Sequence, residues 1–143
     1  MKIEIHTDGG SLGNPGPSAI GVVIEYDGKK KTYAKDIGVG TNNEAEYRAL
    51  AYALKKLKAL IGSQKAKTAH VKCFADSQLM VNQLNHKYHL KNKKIIDLFI
   101  DIWNSMLEYG QVEFIHVPRE QNQEADALVR TVIDGGKQKA FFV

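Results

Sequence analysis

The chain has 143 residues, a length at which one domain is the default and a sizeable hydrophobic core can form. Its formal charge of +4 is compatible with a nucleic-acid partner without requiring one. The single cysteine excludes an intrachain disulfide, and no segment approaches the roughly 18 apolar residues of a membrane span. The N-terminus lacks the apolar stretch of a signal peptide, so we expect a cytoplasmic protein with no membrane partner.

The first third of the chain predicts three strands in an antiparallel meander. Residues 3–8 alternate apolar and polar side chains, the period of two expected of a half-buried strand. This strand is predicted to end at Asp8, and Gly9-Gly10 would then let the backbone turn or approach another element closely. Residues 19–26 and about 30–39 predict the next two strands, and Asp27-Gly28 between them is typical of a two-residue hairpin.

The rest of the chain alternates helices with strands. Helices are predicted from Thr41 to about Leu60, over 77–85, from Ile95 to Gly110, and from a cap at Asn122 to about Ile133; strands are predicted over 68–75 and 112–117. In the third of these helices, Trp103 and Leu107 lie beside the apolar stripe, and Gly135-Gly136 are expected to end the last helix. This order predicts an α/β fold with a mixed five-stranded sheet, three antiparallel strands followed by parallel ones, flanked by helices.

Acidic residues stand where chemistry is expected in such a fold. Asp8 ends the first strand and Asp76 follows the fourth; if these strands are parallel neighbours, the two carboxylates lie side by side. Glu46 shares a helix face with Leu50 and Leu54, so its carboxylate points toward the sheet. A charge on the core side of a helix is costly, so we expect it to have a partner or a function there. A capping box from Asn43 to Glu46 is the alternative interpretation.

Asp126 is the fourth candidate, in the first turns of the last helix. Its alternative interpretation is an acid placed favourably in the field of the helix N-terminus. Converging carboxylates repel each other unless cations intervene, so the set implies metal. Hard oxygen ligands suit Mg²⁺ or Mn²⁺ rather than zinc, and two such ions could promote an in-line phosphoryl displacement.

Four segments in this order resemble ribonuclease H type 1: residues 7–17, 41–46, 75–78 and 122–126. The resemblance covers essentially the whole chain. It implies an RNase H-like fold and cleavage of the RNA strand of an RNA–DNA hybrid. It also implies that two metal ions are bound by the four acids Asp8, Glu46, Asp76 and Asp126.

The resemblance further assigns minor-groove contacts with the hybrid to Asn14, Asn42, Asn43 and Gln78, although asparagine is also common in turns and caps. The larger bacterial relatives carry a long basic insertion that grips the DNA strand. Here the connector is only residues 86–94, and its lysines could replace that insertion in part: Lys87, Lys91, Lys93 and Lys94. We therefore expect weaker hybrid binding and a steep dependence on salt.

Many relatives have a catalytic histidine before the last aspartate. His116 could match it by counting, but it continues the alternation of the fifth strand, and the segment 116–122 resembles the compact-loop variant without that histidine. We therefore favour a strand histidine and take Arg119 as the cationic residue near the site.

The expected organisation is a catalytic domain over residues 1–134 and a short tail over 135–143, in a monomer. The tail phenylalanines either pack onto the domain or bind a partner. A broader nuclease that also cuts double-stranded RNA is the alternative activity. Two competing classes are an integrase or proofreading exonuclease and a noncatalytic hybrid-binding module. The four acids speak against the binding module, because clustered charges without metal are costly.

Overall fold

A computed structural model describes the backbone of residues 1–142 and the side chains of residues 1–135. The chain opens with the strands β1 (Lys2–Ser11), β2 (Gly16–Tyr26) and β3 (Lys29–Gly40), paired antiparallel. Asp27 and Gly28 form the turn between β2 and β3 with φ of 51° and 69°. Two positive φ values in a two-residue loop match the right-handed twist of a hairpin, so the predicted turn is confirmed.

Helices and strands then follow in the predicted order, with one short helix, α2 (Ser63–Ala66), that was not predicted. They are α1 (Asn42–Ile61), α2 (Ser63–Ala66), β4 (His70–Ala75), α3 (Gln78–Leu84), α4 (Lys93–Met106), β5 (Gln111–His116), a 3₁₀ turn (Arg119–Gln121) and α5 (Gln123–Phe142). The sheet order is β3-β2-β1-β4-β5, and β4 is parallel to both β1 and β5. The predicted α/β class and mixed five-stranded sheet are confirmed.

The core lies mainly between α1 and the sheet. Ile3 and Ile5 of β1 are fully buried, as are Leu50, Leu54 and Leu57 on one face of α1. The spacing of those leucines is that of a single helical stripe, and this stripe holds α1 across the sheet. This packing carries Glu46, one turn before Leu50, to the edge of β1.

Three predicted element ends are wrong. α4 ends at Met106 rather than continuing to Gly110. β1 does not stop at Asp8: Gly9, Gly10 and Ser11 remain paired with β2, whereas pairing with β4 ends at Thr7. α5 does not stop at Gly135-Gly136 and continues to Phe142. A helix tolerates glycine at a cost of about 1 kcal/mol, and Gly135 does not adopt the positive φ of a helix stop.

The C-terminal tail remains a prediction. The side chains of Phe141 and Phe142 lie outside the described residues, so neither their packing nor a partner-binding role is tested. Within the described part of the chain, no helix has the length and apolarity needed to cross a membrane.

Candidate active site

Parallel pairing of β1 and β4 brings the first two acids together. Thr7 lies opposite Ala75, and the next residue after each is an aspartate, Asp8 within β1 and Asp76 directly after β4. Both carboxylates therefore leave the sheet at the same edge, where β4 ends and β1 continues along β2 alone. The expected neighbourhood of Asp8 and Asp76 is confirmed.

Glu46 reaches this edge from α1 and is held there by β1. The backbone N–H of Gly9 donates a hydrogen bond of 2.6 Å to Oε1 of Glu46. The capping-box interpretation is wrong, since α1 is capped by Thr41, whose hydroxyl accepts a hydrogen bond of 3.1 Å from the backbone N–H of Glu44. Glu46 is thus bound to a strand 37 residues away rather than to its own helix start.

Close approach of the two backbones makes this contact possible. A Cβ atom at position 9 would lie 2.2 Å from the carbonyl carbon of Ala45, a distance that no side chain tolerates. Glycine is therefore required where β1 passes α1, and the predicted close approach at Gly9 has a physical cause.

The three carboxylates form one cluster. Asp8, Glu46 and Asp76 each offer an oxygen, and these atoms lie within 4.8 Å of one another. Asp8 is 8% exposed and Glu46 is 7% exposed. The buried atoms Oε2 of Glu46 and Oδ2 of Asp76 have no hydrogen-bond partner among the described residues. Orphaned buried carboxylate oxygens are costly unless a cation coordinates them, so the donor set fits a hard divalent metal ion.

The cluster changes the acidity of its members. Burial raises the pKa of Asp8 from 3.8 to about 6, and the negative charges of Asp76 and Asp126 add to the increase. Burial, followed by the adjacent Asp8, raises the pKa of Glu46 well above its ordinary value. Burial also raises the pKa of Asp76, against the opposing charge of Arg119. Without a cation, full ionisation of the cluster is unfavourable.

Asp126 lies beside this cluster rather than within it. It stands in the first turn of α5, and its carboxylate accepts a hydrogen bond from the guanidinium of Arg130, one turn further on. Its charge nevertheless raises the pKa of both Asp8 and Asp76. Three of the four predicted acids converge directly, and the fourth is held nearby by Arg130.

Arg119 is the cationic residue next to the acids. Its Nε lies 3.9 Å from Oδ2 of Asp76, close enough for an ion pair but too far for a hydrogen bond. His116 is an exposed residue at the end of β5, opposite Ala75. The strand placement of His116 and the position of Arg119 near the site agree with expectation, while their parts in catalysis remain predictions.

Asn122 is a site residue whose part the sequence did not reveal. Asn122 stands directly before α5, where a cap is predicted, and its carbonyl accepts a hydrogen bond of 3.1 Å from the backbone N–H of Asp126. Its side chain does not cap the helix, because Oδ1 has no hydrogen-bond partner among the described residues. Its Nδ2 instead donates a hydrogen bond of 2.9 Å to the carbonyl of Thr7, just before Asp8. The same amide also lowers the pKa of Asp76. Asn122 thereby ties β1 to the start of α5, and only its position four residues before Asp126 hinted at this.

Two of the predicted hybrid-contacting residues connect the β1–β2 loop to α1. Oδ1 of Asn14 accepts a hydrogen bond of 2.9 Å from the backbone N–H of Asn42. Oδ1 of Asn42 accepts one of 2.9 Å from the backbone N–H of Ser11. Asn43 is half-buried and Gln78 is exposed. Both Asn14 and Asn42 keep their NH₂ groups free of hydrogen bonds to the described residues.

The fold and the acidic cluster at its sheet edge define an RNase H-like protein. Residues 6–132 match the family described as reverse transcriptase-like. A ribonuclease HI of Helicobacter pylori is 39% identical over 140 residues, and the match covers 91% of this chain and 92% of the relative. The chain belongs to the ribonuclease H type 1 family.

Solved structures agree with this assignment. The ribonuclease H1 called LC11, solved in complex with an RNA/DNA hybrid, is 39% identical, with a TM-score of 0.87 over 94% of this chain and 98% of that one. The ribonuclease H1 of the halophilic archaeon Halobacterium salinarum has a TM-score of 0.85 at 30% identity. The chain spans 38% of the length of longer mycobacterial relatives, among them a bifunctional protein of Mycobacterium tuberculosis that is 32% identical over 143 residues.

Proposed function

We propose that this chain is an endoribonuclease that hydrolyses the RNA strand of RNA–DNA hybrids with two Mg²⁺ or Mn²⁺ ions. The observation that carries the proposal is the cluster of Asp8, Glu46 and Asp76, which offer carboxylate oxygens within 4.8 Å of one another. Two buried carboxylate oxygens in this cluster, Oε2 of Glu46 and Oδ2 of Asp76, have no hydrogen-bond partner among the described residues. Relatives of nearly the same length named ribonuclease H support the same activity.

Four acids would hold the metal ions. Asp8, Glu46 and Asp76 are already gathered, and Asp126 would complete the set by turning from Arg130 toward the cluster. The chemistry that bound divalent ions supply in such a site is activation of a water for attack on phosphorus and stabilisation of the leaving oxygen.

The chain's own groups would keep the acids in place for this chemistry. The N–H of Gly9 fixes one oxygen of Glu46 and leaves the other unpaired for coordination. The amide of Asn122 holds the carbonyl before Asp8 and so fixes the end of the β1–β4 ladder. Arg119, next to Asp76, could offset negative charge that develops on the substrate phosphate.

Recognition of the hybrid would use the amides around the β1–β2 loop. Because the Oδ1 atoms of Asn14 and Asn42 are already hydrogen-bonded, the loop and α1 form one preorganised unit. Their NH₂ groups remain as donors for the base acceptors and 2′-hydroxyls that line the minor groove of a hybrid. Asn43 and Gln78 would extend this set along the groove.

The test is a substrate panel with end-labelled RNA–DNA hybrid, double-stranded RNA and double-stranded DNA, each with Mg²⁺, Mn²⁺ or EDTA. We expect metal-dependent cutting of the hybrid's RNA strand alone. Cutting of double-stranded RNA as well would indicate a broader substrate range. Tight hybrid binding without cutting would indicate a noncatalytic binding module instead of an enzyme. Cutting that persists in EDTA would contradict the role of the acids.

A further inference from the structure

A buried polar network joins α1, α3 and the chain that follows α3. Tyr47 of α1 is fully buried, and its hydroxyl donates a hydrogen bond of 2.6 Å to Oε1 of Gln83 in α3. Nε2 of Gln83, a residue that is only 8% exposed, donates a hydrogen bond of 3.2 Å to the backbone carbonyl of His89. Apolar side chains would fill the same space without the cost of burying polar groups. The bond to His89 is what the polar pair adds.

His89 lies in the middle of the connector between α3 and α4, and the connector is also fixed at both ends. At its start, His86 ends α3 with a left-handed φ of 64°, and its N–H donates a hydrogen bond of 3.2 Å to the carbonyl of Gln83. At its end, Asn92 caps α4. Between these ends, Gln83 holds the carbonyl of His89, and the half-buried Leu90 packs against the core. The connector is therefore an ordered segment.

The ordered connector presents two cations close to the acidic cluster. Lys87 and Lys91 are exposed, and each stands two residues from the anchored His89. α3 begins two residues after Asp76 and is about 10 Å long, so one short helix separates the acids from the connector. Ordering a loop on binding costs affinity, and a loop that is already ordered avoids this cost.

We propose that Tyr47 and Gln83 are positioning residues for hybrid binding. Through the carbonyl of His89 they hold the connector in the conformation in which Lys87 and Lys91 meet phosphates of the hybrid. Both side chains are buried, so they act through the connector rather than by contact with the substrate. The inference rests on the proposed function, because it requires a hybrid bound at the acidic cluster. A short connector thus contributes affinity by being held in place.

Tyr47→Phe tests the network by removing the hydroxyl that orients the Gln83 amide. We expect the KM for hybrid cleavage to rise about threefold to tenfold, with kcat changed by less than about twofold. The matched control is Tyr109→Phe, since Tyr109 is also buried and its hydroxyl donates to the carbonyl of Leu54, away from the connector. This control should lose a similar amount of stability and keep the KM of the unmodified chain. An equal rise of KM in the two variants would overturn the proposal.

Two combined variants separate positioning from stability. Tyr47→Phe with Gln83→Met removes both polar partners, so stability should recover toward that of the unmodified chain. KM should stay raised, because the carbonyl of His89 still lacks its donor. When Lys87→Ala and Lys91→Ala are already present, Tyr47→Phe should raise KM no further, because it acts through these lysines. Recovery of KM together with stability, or an undiminished effect without the lysines, would overturn the proposal.

Limited digestion with trypsin tests the anchoring without any measurement of activity. Trypsin cuts after lysine, and cutting after Lys87 or Lys91 requires the connector to open locally. We expect these two cuts, identified by fragment mass, to be several-fold faster in Tyr47→Phe than in the unmodified chain or in Tyr109→Phe. Equal rates would overturn the proposal whether or not the chain cleaves a hybrid. An unmodified chain that cleaves no hybrid would instead contradict the proposed function itself.

Discussion

The backbone N–H of Gly9 and the carboxylate of Glu46 are joined by a hydrogen bond of 2.6 Å across 37 residues of sequence. This contact turns a helix acid toward two strand acids and so assembles the cluster. It exists only because β1 passes α1 without a side chain between them.

Gly9→Ala is therefore expected to damage both fold and activity. Its methyl group would lie 2.2 Å from the backbone of Ala45, so α1 must move away from β1 and carry Glu46 with it. We expect the free energy of unfolding to fall by about 1–3 kcal/mol, measured by denaturant unfolding, and the cleavage rate to fall with it. Gly10→Ala is the matched control, because its nearest contact is a side-chain atom of Val129 at 3.4 Å. Equal effects of the two substitutions would contradict the close-approach argument.

The sequence predicted the sheet edge well because the signals there are local. Strand periodicity, the parallel crossover and the acid after each strand placed Asp8 beside Asp76. Glu46 was predicted as a core-facing acid, with a capping box as the alternative interpretation. The sequence could not decide between the two, because no local pattern indicates a hydrogen bond from the backbone of Gly9. Asn122 was interpreted as a cap for the same reason: its partner, the carbonyl of Thr7, is 115 residues away.

The stability of the metal-free protein should depend on pH through Asp8. Its pKa is about 6 when folded and 3.8 as a free side chain, so the folded state binds more protons between these values. In EDTA, the contribution of Asp8 to the free energy of unfolding should thus be greatest below about pH 4. It should fall by on the order of 1–3 kcal/mol as the pH rises past 6.

Thermal unfolding in EDTA from pH 4 to pH 8 measures this dependence. Asp8→Asn should flatten the curve and raise the stability of the metal-free protein at pH 8, because one of the clustered charges is gone. Mg²⁺ should raise the melting temperature of the unmodified chain at pH 8 and have less effect on the variant. A variant that is less stable than the unmodified chain in EDTA at pH 8 would speak against repulsion within the cluster.

Asn122→Ala should loosen the connection between β1 and α5. The change removes the hydrogen bond to the carbonyl of Thr7, which costs about 0.5–1.5 kcal/mol of folding stability. Because the same amide lowers the pKa of Asp76, we also expect a higher Mg²⁺ concentration for half-maximal activity. Asn122→Asp should be worse than Asn122→Ala, since a carboxylate would face the Thr7 carbonyl and Asp76. If the Mg²⁺ titrations of the unmodified chain, Asn122→Ala and Asn122→Asp do not differ, Asn122 has no part in metal binding.

Arg119 and His116 can be separated by single substitutions. We expect Arg119→Ala to lower kcat about tenfold, with partial recovery in Arg119→Lys, because the cation beside Asp76 is lost and then restored. His116→Ala should change kcat by less than about threefold. A hundredfold loss in His116→Ala without loss of stability would instead identify His116 as the catalytic histidine of the family.

The basic connector between α3 and α4 should contribute affinity rather than catalysis. The structure places Lys93 and Lys94 within α4, which leaves Lys87 and Lys91 as the exposed lysines of the connector. Lys87→Ala with Lys91→Ala should weaken hybrid binding and reduce the slope of log affinity against log salt by about 1–2. Binding measured at nanomolar protein from 50 to 200 mM salt tests this, and an unchanged slope would show that neither lysine neutralises a phosphate.

The most direct test of the account is the rate of RNA-strand cleavage in a labelled RNA–DNA hybrid for the unmodified chain, Asp8→Asn and Glu4→Gln at saturating Mg²⁺. Glu4 lies on the same strand as Asp8 but is exposed, so its substitution removes one charge away from the cluster. We predict that Asp8→Asn loses at least about a thousandfold in rate and that Glu4→Gln retains the full rate. Cleavage by Asp8→Asn at the rate of Glu4→Gln would contradict a catalytic site built on the carboxylates of β1, α1 and β4.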